Sequence, residues 1–469
     1  MNIDHEPADL SALFERQRAA RAQGPTTGAA ERIADLDTLE RLVRANADAI
    51  AAAISTDFGG RSTHETRLLE IFPALEGLRH AKRHLRGWMR PQRRGTNLWF
   101  LPGRSRVVFQ PLGVVGIVVP WNYPLYLAVG PLTSALAAGN RALVKMSEAA
   151  PRTGELFARL IDRHFSPERI AVVNGGPEVA KAFTALPFDH LLFTGSTNVG
   201  AEVMRAAAAH LTPVTLELGG KSPAIVGRGF PVEEAASRIL YGKCLNAGQT
   251  CIAPDYALVP EERVDAFVAA ARETVTRLYP QFASTPDYTA IVNDRQHQRL
   301  TALLDDAKAR GATIVELTSG GEAAARKMAP KIVLGATDAM RVLREEIFGP
   351  ILPVVPYRTL DDAIAYVNAR PRPLALYAFD HDAGAIEQVI ARTVSGGVAV
   401  NETILHVAQD DLPFGGVGPS GMGRYHGRDG FEAFSVTKAV FYQSRFNGLK
   451  LFRPPYGARF EALARHLFR

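Results

Sequence analysis

The chain has 469 residues, 47% of them hydrophobic and 22% charged, which predicts two large or three smaller globular domains around a sizeable core. Its two cysteines, Cys244 and Cys251, exclude a disulfide-stapled scaffold and suit a reducing compartment. The net charge of +6 is a mild basic excess, and no nucleic-acid recognition motif accompanies it.

Met1–Glu6 has no basic segment followed by an apolar one, so no signal peptide is expected and the expected location is cytoplasmic. Residues 31–56 and 65–90 carry the apolar spacing of helices. In and just after the second stretch, Arg79, Lys82, Arg83, Arg86, Arg90, Arg93 and Arg94 crowd together. Only Trp88 interleaves with them, which reads as a solvated helix face or subunit edge and not a nucleic-acid patch. His80 and His84 stand at i, i+4 as two metal ligands could. Cations surround them and no third ligand follows, so no metal site is expected.

Pro91 through Gly103 break the helical pattern, and Arg104–Gln110 reads as an edge strand. Short apolar runs then alternate with helical stretches: Val114–Val119 with Leu125–Ala138, Arg141–Lys145 with Gly154–His164, Ile170–Val173 with Glu178–Ala185, and His190–Thr194 with Val199–His210. Such βαβ alternation predicts a parallel sheet. Pro120, Asn122, Pro124 and Pro131 interrupt the long apolar stretch 111–139, which favours a buried strand, loop and helix over a membrane span. Residues 223–410 repeat the alternation, with strands expected at Ala224–Val226, Tyr256–Val259, Thr313–Leu317, Ile351–Tyr357 and Gly397–Val400. Two α/β units therefore join near Gly219-Gly220. Phe434–Tyr442 reads as a second edge strand. Neither it nor Arg104–Gln110 has a partner in the α/β pattern, so both are expected to pair across a twofold axis.

Cys251 lies in Gly248-Gln249-Thr250-Cys251, and Glu217 lies 34 positions earlier, at the end of an apolar run. A thiol between small and polar residues stays reachable by a substrate, and a strand-end carboxylate is a candidate general base. Taken singly, each fits a plainer reading, a small buried thiol and an unrelated glutamate. Asn122, held in Pro120-Trp121-Asn122-Tyr123-Pro124 after a strand, could donate to an oxyanion or merely stabilise a turn. Lys145 and Glu148 also follow a strand and suit ribose hydroxyls. Gly195-Ser196-Thr197-Asn198-Val199-Gly200 opens a helix where a pyrophosphate could approach, although the spacing is not the usual dinucleotide fingerprint. Gly219-Gly220-Lys221-Ser222 hints at a P-loop, but Thr215 stands where that motif needs glycine, so a P-loop is discarded.

The ordered set resembles the aldehyde dehydrogenase superfamily, with Glu345-Glu346-Ile347-Phe348-Gly349-Pro350 and Leu412-Pro413-Phe414-Gly415-Gly416-Val417-Gly418 extending the match. Ala253-Pro254-Asp255-Tyr256, Ser420–Gly427 and Pro454-Pro455-Tyr456 resemble its class 3 branch. Phe109–Gly116 is most similar to the bacterial coniferyl aldehyde dehydrogenases within it. One departure is Met146, where the family usually has proline.

The resemblance implies an α/β fold of two Rossmann-like open parallel-sheet domains plus a small β oligomerisation element. The implied boundaries are residues 1–94 and 112–218 for NAD binding, 219–414 for catalysis, 95–111 and 425–445 for oligomerisation, and 446–469 as a tail. It implies NAD(P)-dependent oxidation of an aromatic or long aliphatic aldehyde to the acid, with NAD as cofactor and NADP possible. Cys251 would be the nucleophile, Glu217 the base, and Asn122 with the Cys251 amide the oxyanion hole. Lys145 and Glu148 would hold the adenosine ribose, Gly195 and Ser196 the pyrophosphate, Glu346 the nicotinamide ribose, and Phe348 the nicotinamide ring. Tyr123, Thr250, Ile252 and Phe414 are candidates for the aldehyde pocket. The implied partners are the aldehyde and a second copy in a homodimer, with no nucleic acid and no stable membrane insertion. Arg459–Arg469 mixes apolar and basic residues like a short membrane-surface helix. The rival readings are a CoA-acylating dehydrogenase and a catalytically silent binding protein on the same fold.

Overall fold

A computed structural model describes residues 6–24, 27–318, 326–448 and 452–467 of the chain. The sequence reading places no helix before residue 31, yet α1 (Pro7–Gln23) is found there, started by Pro7 and by a reciprocal Glu6–Asp9 cap. Its Leu10, Phe14 and Gln17 are buried, and the Gln17 amide donates to the carbonyls of Ala142 and Pro167 at 3.0 and 2.9 Å. The single helix expected at 31–56 is two, α2 (Ala29–Ala45) and α3 (Ala47–Phe58), broken where the Asn46 side chain bonds the Leu42 carbonyl. The stretch 65–90 is likewise composite. A short α4 (Thr63–Thr66) runs through a π-helical turn, Arg67–Ile71, into α5 (Phe72–Trp88). Part of its basic face has acidic partners on α2: Lys82 pairs with Asp37 at 2.6 Å and with Glu40, and Arg79 pairs with Glu40 at 3.1 Å.

The strands in chain order are β1 (Gln92–Arg94), β2 (Arg104–Pro111), β3 (Val114–Val118), β4 (Arg141–Lys145), β5 (Ile170–Val173), β6 (His190–Gly195), β7 (Val214–Leu218), β8 (Pro223–Val226), β9 (Tyr256–Pro260), β10 (Thr313–Glu316), β11 (Lys331–Leu334), β12 (Ile351–Tyr357), β13 (Ala375–Phe379), β14 (Gly397–Val400), β15 (Gly421–Met422) and β16 (Ser435–Tyr442). One sheet has the order β15-β7-β6-β3-β4-β5, parallel except at β15. Helices α6 (Tyr126–Ala138), α7 (Pro151–Asp162), α8 (Pro177–Thr184) and α9 (Thr197–Ala208) connect its strands. The second sheet has the order β10-β11-β12-β9-β8-β13-β14, parallel except at β10. Among its connections are α10 (Val232–Cys244), α11 (Val264–Leu278) and α12 (Asp294–Ala309). The fold is thus α/β with two open, mainly parallel sheets, and the chain crosses between them at Gly219-Gly220-Lys221-Ser222.

The third sheet corrects the reading of the two edge strands. β2 and β16 pair with each other along eight antiparallel positions, Arg104↔Tyr442 to Pro111↔Ser435, within one chain. β1 adds to the other side of β2. The sequence pattern hid this because the partners lie more than 300 residues apart; β2 is paired on both sides, while β16 is left as an outer strand of the sheet.

Apolar side chains fill both faces of the first sheet. One cluster gathers α1, β3, β6 and β7 around Phe14, Phe188 and Phe193. The larger one runs from α2, α5 and α6 into the second sheet. No helix among the described residues is long and apolar enough to cross a membrane. The basic tail ends in a helix, Ala458–Leu467, and the expected contribution of Phe468 lies outside the described residues.

Candidate active site

In the first sheet the chain leaves β3 toward β4 on one side and returns at β6 on the other. This reversal opens a crevice at the carboxyl ends of the strands, where such sheets bind ligands. A cavity of about 410 Å³ sits there. Its wall takes Pro120, Trp121 and Asn122 from the end of β3, and Thr194, Gly195 and Ser196 from β6 and the start of α9. Glu217, Leu218 and Gly219 come from β7, with Gln296 and Arg299 from α12. Cys251, Glu346 and Phe348 come from loops of the second sheet. The seven predicted residues beyond Cys251 and Glu217 therefore divide: Asn122, Gly195, Ser196, Glu346 and Phe348 converge here with Cys251 and Glu217, whereas Lys145 and Glu148 lie outside this wall.

Cys251 owes its place to an abrupt end of α10. After Cys244 the chain passes through Asn246, Ala247 and Gly248 with φ of 51°, 51° and 73°. Three successive left-handed residues turn the helix back toward the crevice, and two of them carry the cost of a Cβ. At Gly248 a Cβ would collide with the Gly349 carbonyl. Cys251 is half-buried and faces the cavity, while Cys244 is sunk in the core. Enclosure by protein, then the nearby Glu346 and Glu217, push the Cys251 thiol up to about 12. The backbone N–H groups of Cys251 and Ile252 work in the opposite direction.

Glu217 is buried, and neither carboxylate oxygen has a hydrogen-bond partner. Burial raises its pKa well above the usual carboxylate range, against a weak pull from Arg424. Glu346, half-buried, also lines the cavity: its Oε1 lacks a partner although the carboxylate accepts the Gly220 N–H, and desolvation lifts it to about 8. A Cβ at Gly219 would collide with that carboxylate, so the glycine is what lets Glu346 lie across the end of β7. Unpaired buried carboxylates are costly and gather where a ligand supplies the missing partner.

Sequence reasoning missed the supports of that wall. Arg299 on α12 donates to the Glu346 carbonyl at 3.2 Å and to that of Ile347, and Asp255 accepts the Ile347 N–H at 3.0 Å. Lys221 pairs with Asp255 and donates to the carbonyls of Val342 and Glu345 at 2.9 and 3.0 Å. Lys221 and Asp255 stand inside quoted motifs, but their pairing across the sheet crossover leaves no spacing signal. Phe348 has φ 51° and packs edge-on against Trp121, with ring centroids 5.3 Å apart.

Asn122 is buried, and its Nδ2 donates one hydrogen bond, 3.2 Å, to the Gln249 carbonyl. An amide nitrogen carries two N–H groups, so a second donor remains. Ser196 caps α9, accepting the Val199 N–H at 3.5 Å. The Lys145 ammonium donates to the carbonyls of Met146 and Gly175 at 2.6 and 2.7 Å, and Glu148 is exposed. Tyr123, Thr250, Ile252 and Phe414 are all buried outside the wall of this cavity, and the Tyr123 and Thr250 hydroxyls bond each other at 2.6 Å.

Residues 4–440 match the Aldehyde dehydrogenase family. The chain is 54% identical over 459 residues to the "Probable coniferyl aldehyde dehydrogenase" of Pseudomonas aeruginosa, covering 98% of this chain and 96% of that one. It superposes with a TM-score of 0.92 on a substrate-bound AldH of Staphylococcus aureus, at 38% identity over 98% of this chain and 99% of the other. A Mycobacterium tuberculosis aldehyde dehydrogenase complexed with NAD+ gives 0.84, at 28% identity over 93% and 90%. Fold, strand-end crevice, buried carboxylates, thiol and whole-length similarity agree: the chain belongs to the aldehyde dehydrogenase family.

Proposed function

We propose that the protein oxidises an aromatic aldehyde of the coniferyl type to its carboxylic acid, with Cys251 as nucleophile and NAD as hydride acceptor. The observation that carries the reading is the convergence of the Cys251 thiol, the Asn122 amide and the unpartnered Glu217 carboxylate on one cavity. Identity to a relative named for coniferyl aldehyde supports the substrate class.

The cavity suits a dinucleotide. Glu346 Oε1 lacks a partner, Gly219 keeps the adjoining floor bare, and Gly195-Ser196 brings the N-terminus of α9 to the wall. Glu346 would hold the nicotinamide ribose and Phe348 would lie beside the ring. Gly195 and Ser196 would flank the pyrophosphate, and Lys145 and Glu148 would take the adenosine ribose. When bound, the nicotinamide supplies the hydride acceptor and a positive charge that favours the thiolate. Glu148 would repel a 2′-phosphate, so NAD should be preferred over NADP.

Cys251 as thiolate adds to the aldehyde carbon, and the free N–H of the Asn122 amide, with the Cys251 backbone N–H, holds the alkoxide. Loss of hydride from that carbon leaves a thioester on Cys251. Glu217 then takes a proton from the water that adds to the thioester, and the acid departs as the thiol is restored. Transfer to a thiol acceptor would not need this carboxylate, which favours hydrolysis over CoA acylation.

The second copy of a homodimer would cover the exposed Leu98, Trp99, Leu101 and Phe441 beside the three-stranded sheet. Light scattering of the full chain at twice the monomer mass is the expected result. The substrate reading is tested by kcat/KM across coniferaldehyde, benzaldehyde and medium-chain alkanals, with NAD and NADP. Coniferaldehyde with NAD should rank highest, and a preference for alkanals would overturn the substrate class.

A further inference from the structure

Behind the turn that carries Asn122 lies a buried polar group that the chemistry above does not use. Arg61 and Glu70 form an ion pair at 2.7 Å with neither side chain exposed at all. The same Arg61 Nη1 donates to the Asn122 carbonyl at 3.1 Å. The other Glu70 oxygen accepts the backbone N–H groups of Leu125 and Tyr126 at 2.7 and 3.1 Å. The pair therefore grips both ends of the Asn122–Tyr126 turn. The rest of the guanidinium lies against the rings of Phe58 and Tyr123, at 5.2 and 4.8 Å to the ring centroids.

A structural account of the pair is weak on energetic grounds. Desolvating two charges costs about as much as their attraction returns, and well-packed apolar residues in their place are often neutral or stabilising. What such a pair does supply is direction. Glu70 belongs to the π-helical turn Arg67–Ile71, a geometry that recurs at functional sites. The hydrogen bonds that Arg61 Nη1 and the Glu70 carboxylate make outside the pair all go to the Asn122–Tyr126 turn. The Asn122 carbonyl also accepts the Asn246 side-chain N–H at 3.0 Å, and Asn246 belongs to the left-handed turn that delivers Cys251. One carbonyl thus ties the amide to the nucleophile's loop.

We propose that Arg61 and Glu70 are positioning residues for the oxidation, holding the Asn122 amide where the alkoxide forms. Arg61 acts through the Asn122 carbonyl, and Glu70 through the amides of Leu125 and Tyr126. An oxyanion donor works only when it is fixed before charge develops, and a shift of about 1 Å costs on the order of 10²-fold in rate. The inference rests on the oxyanion role proposed for Asn122.

The experiment is a double-mutant cycle in the full-length protein. The paired variant Arg61→Met/Glu70→Leu removes both charges of the pair together, so neither Arg61 nor Glu70 is left buried without the other. Arg61→Lys, which keeps a cation but loses the fork, runs in parallel and serves the same cycle where the paired variant does not fold. The readouts are the first-turnover rate of NADH formation and the NAD dissociation constant. The paired variant should slow the first turnover by about 10²-fold with NAD binding unchanged, and Arg61→Lys should lose less. In an Asn122→Ala background the same changes should cost less than about threefold, because the donor they position is gone. An equal cost in both backgrounds, or none in the parent, overturns the inference and leaves the oxyanion reading intact. An Asn122→Ala enzyme with an undiminished first turnover overturns both.

Discussion

The two faces of the turn at Asn122 differ in one respect. Toward the cavity, Glu217 has neither oxygen bonded, and Glu346 leaves Oε1 bare. On the far face every carboxylate oxygen has a donor: Glu70 takes Arg61, Leu125 and Tyr126, and Glu65 takes the Asn246 N–H and the Thr289 hydroxyl. The Gln249 amide is bonded at both ends, to Asn246, Ala290 and Val292. Burial alone does not separate these groups, since Glu217 and Glu70 are equally enclosed. Carboxylate saturation does: the oxygens of Glu65 and Glu70 all have donors, whereas Glu217 and Glu346 lack one or both toward the cavity. Arg61 Nε, Arg61 Nη2 and Asn246 Oδ1 on the far face are also without partners.

That contrast is breakable from the open side first. Cys251→Ala should lower steady-state aldehyde oxidation by at least about 10³-fold, whereas Cys244→Ala, in the core, should keep most of it. Equal losses would mean that facing the cavity does not define the nucleophile. Asn122→Ala should slow the first turnover by ~10²–10³ while the enzyme still binds cofactor, as removal of one oxyanion donor does. Gly219→Ala places a Cβ against the Glu346 carboxylate and should weaken NAD binding about tenfold by calorimetry. Unchanged affinity would show that Glu346 has another task.

The smallest effect concerns the thiol. Since burial and two carboxylates raise the Cys251 pKa to about 12, alkylation of the cofactor-free enzyme by iodoacetamide should climb steadily with pH through the alkaline range. Glu346 ionises near 8, so above that pH its negative charge opposes the thiolate. Glu346→Gln removes that charge, lowers the thiol pKa and should speed alkylation at pH 9 but not at pH 7. A uniform effect at both values would point to access and not charge.

The open face was far more legible in the sequence than the closed one. Cys251, Glu217, Asn122 and the Gly195-Ser196 turn sit near strand ends or glycines, where local pattern and chemistry coincide, whereas Glu346 is reached only through the family resemblance. The closed face is built from pairs such as Arg61 with Asn122 and Glu65 with Asn246, 61 and 181 positions apart, which no local period encodes. The same limit hid the β2–β16 pairing. The sequence reading names no strand at β1, β7, β11, β13 or β15, although β7 shows as the apolar run ending at Glu217. Arg61 carries no signal in the sequence, because burial by rings on other elements leaves no mark on its neighbours.

The central claim is that oxidation passes through an acyl group on Cys251 which Glu217 helps to release. It is tested most directly in Glu217→Gln protein mixed with coniferaldehyde and NAD, quenched after the first turnover and digested for mass spectrometry. The account predicts close to one NADH per subunit and a matching acyl mass on the peptide that contains Cys251. A burst of NADH with no acyl mass on that peptide, or with the mass on Cys244, would contradict it.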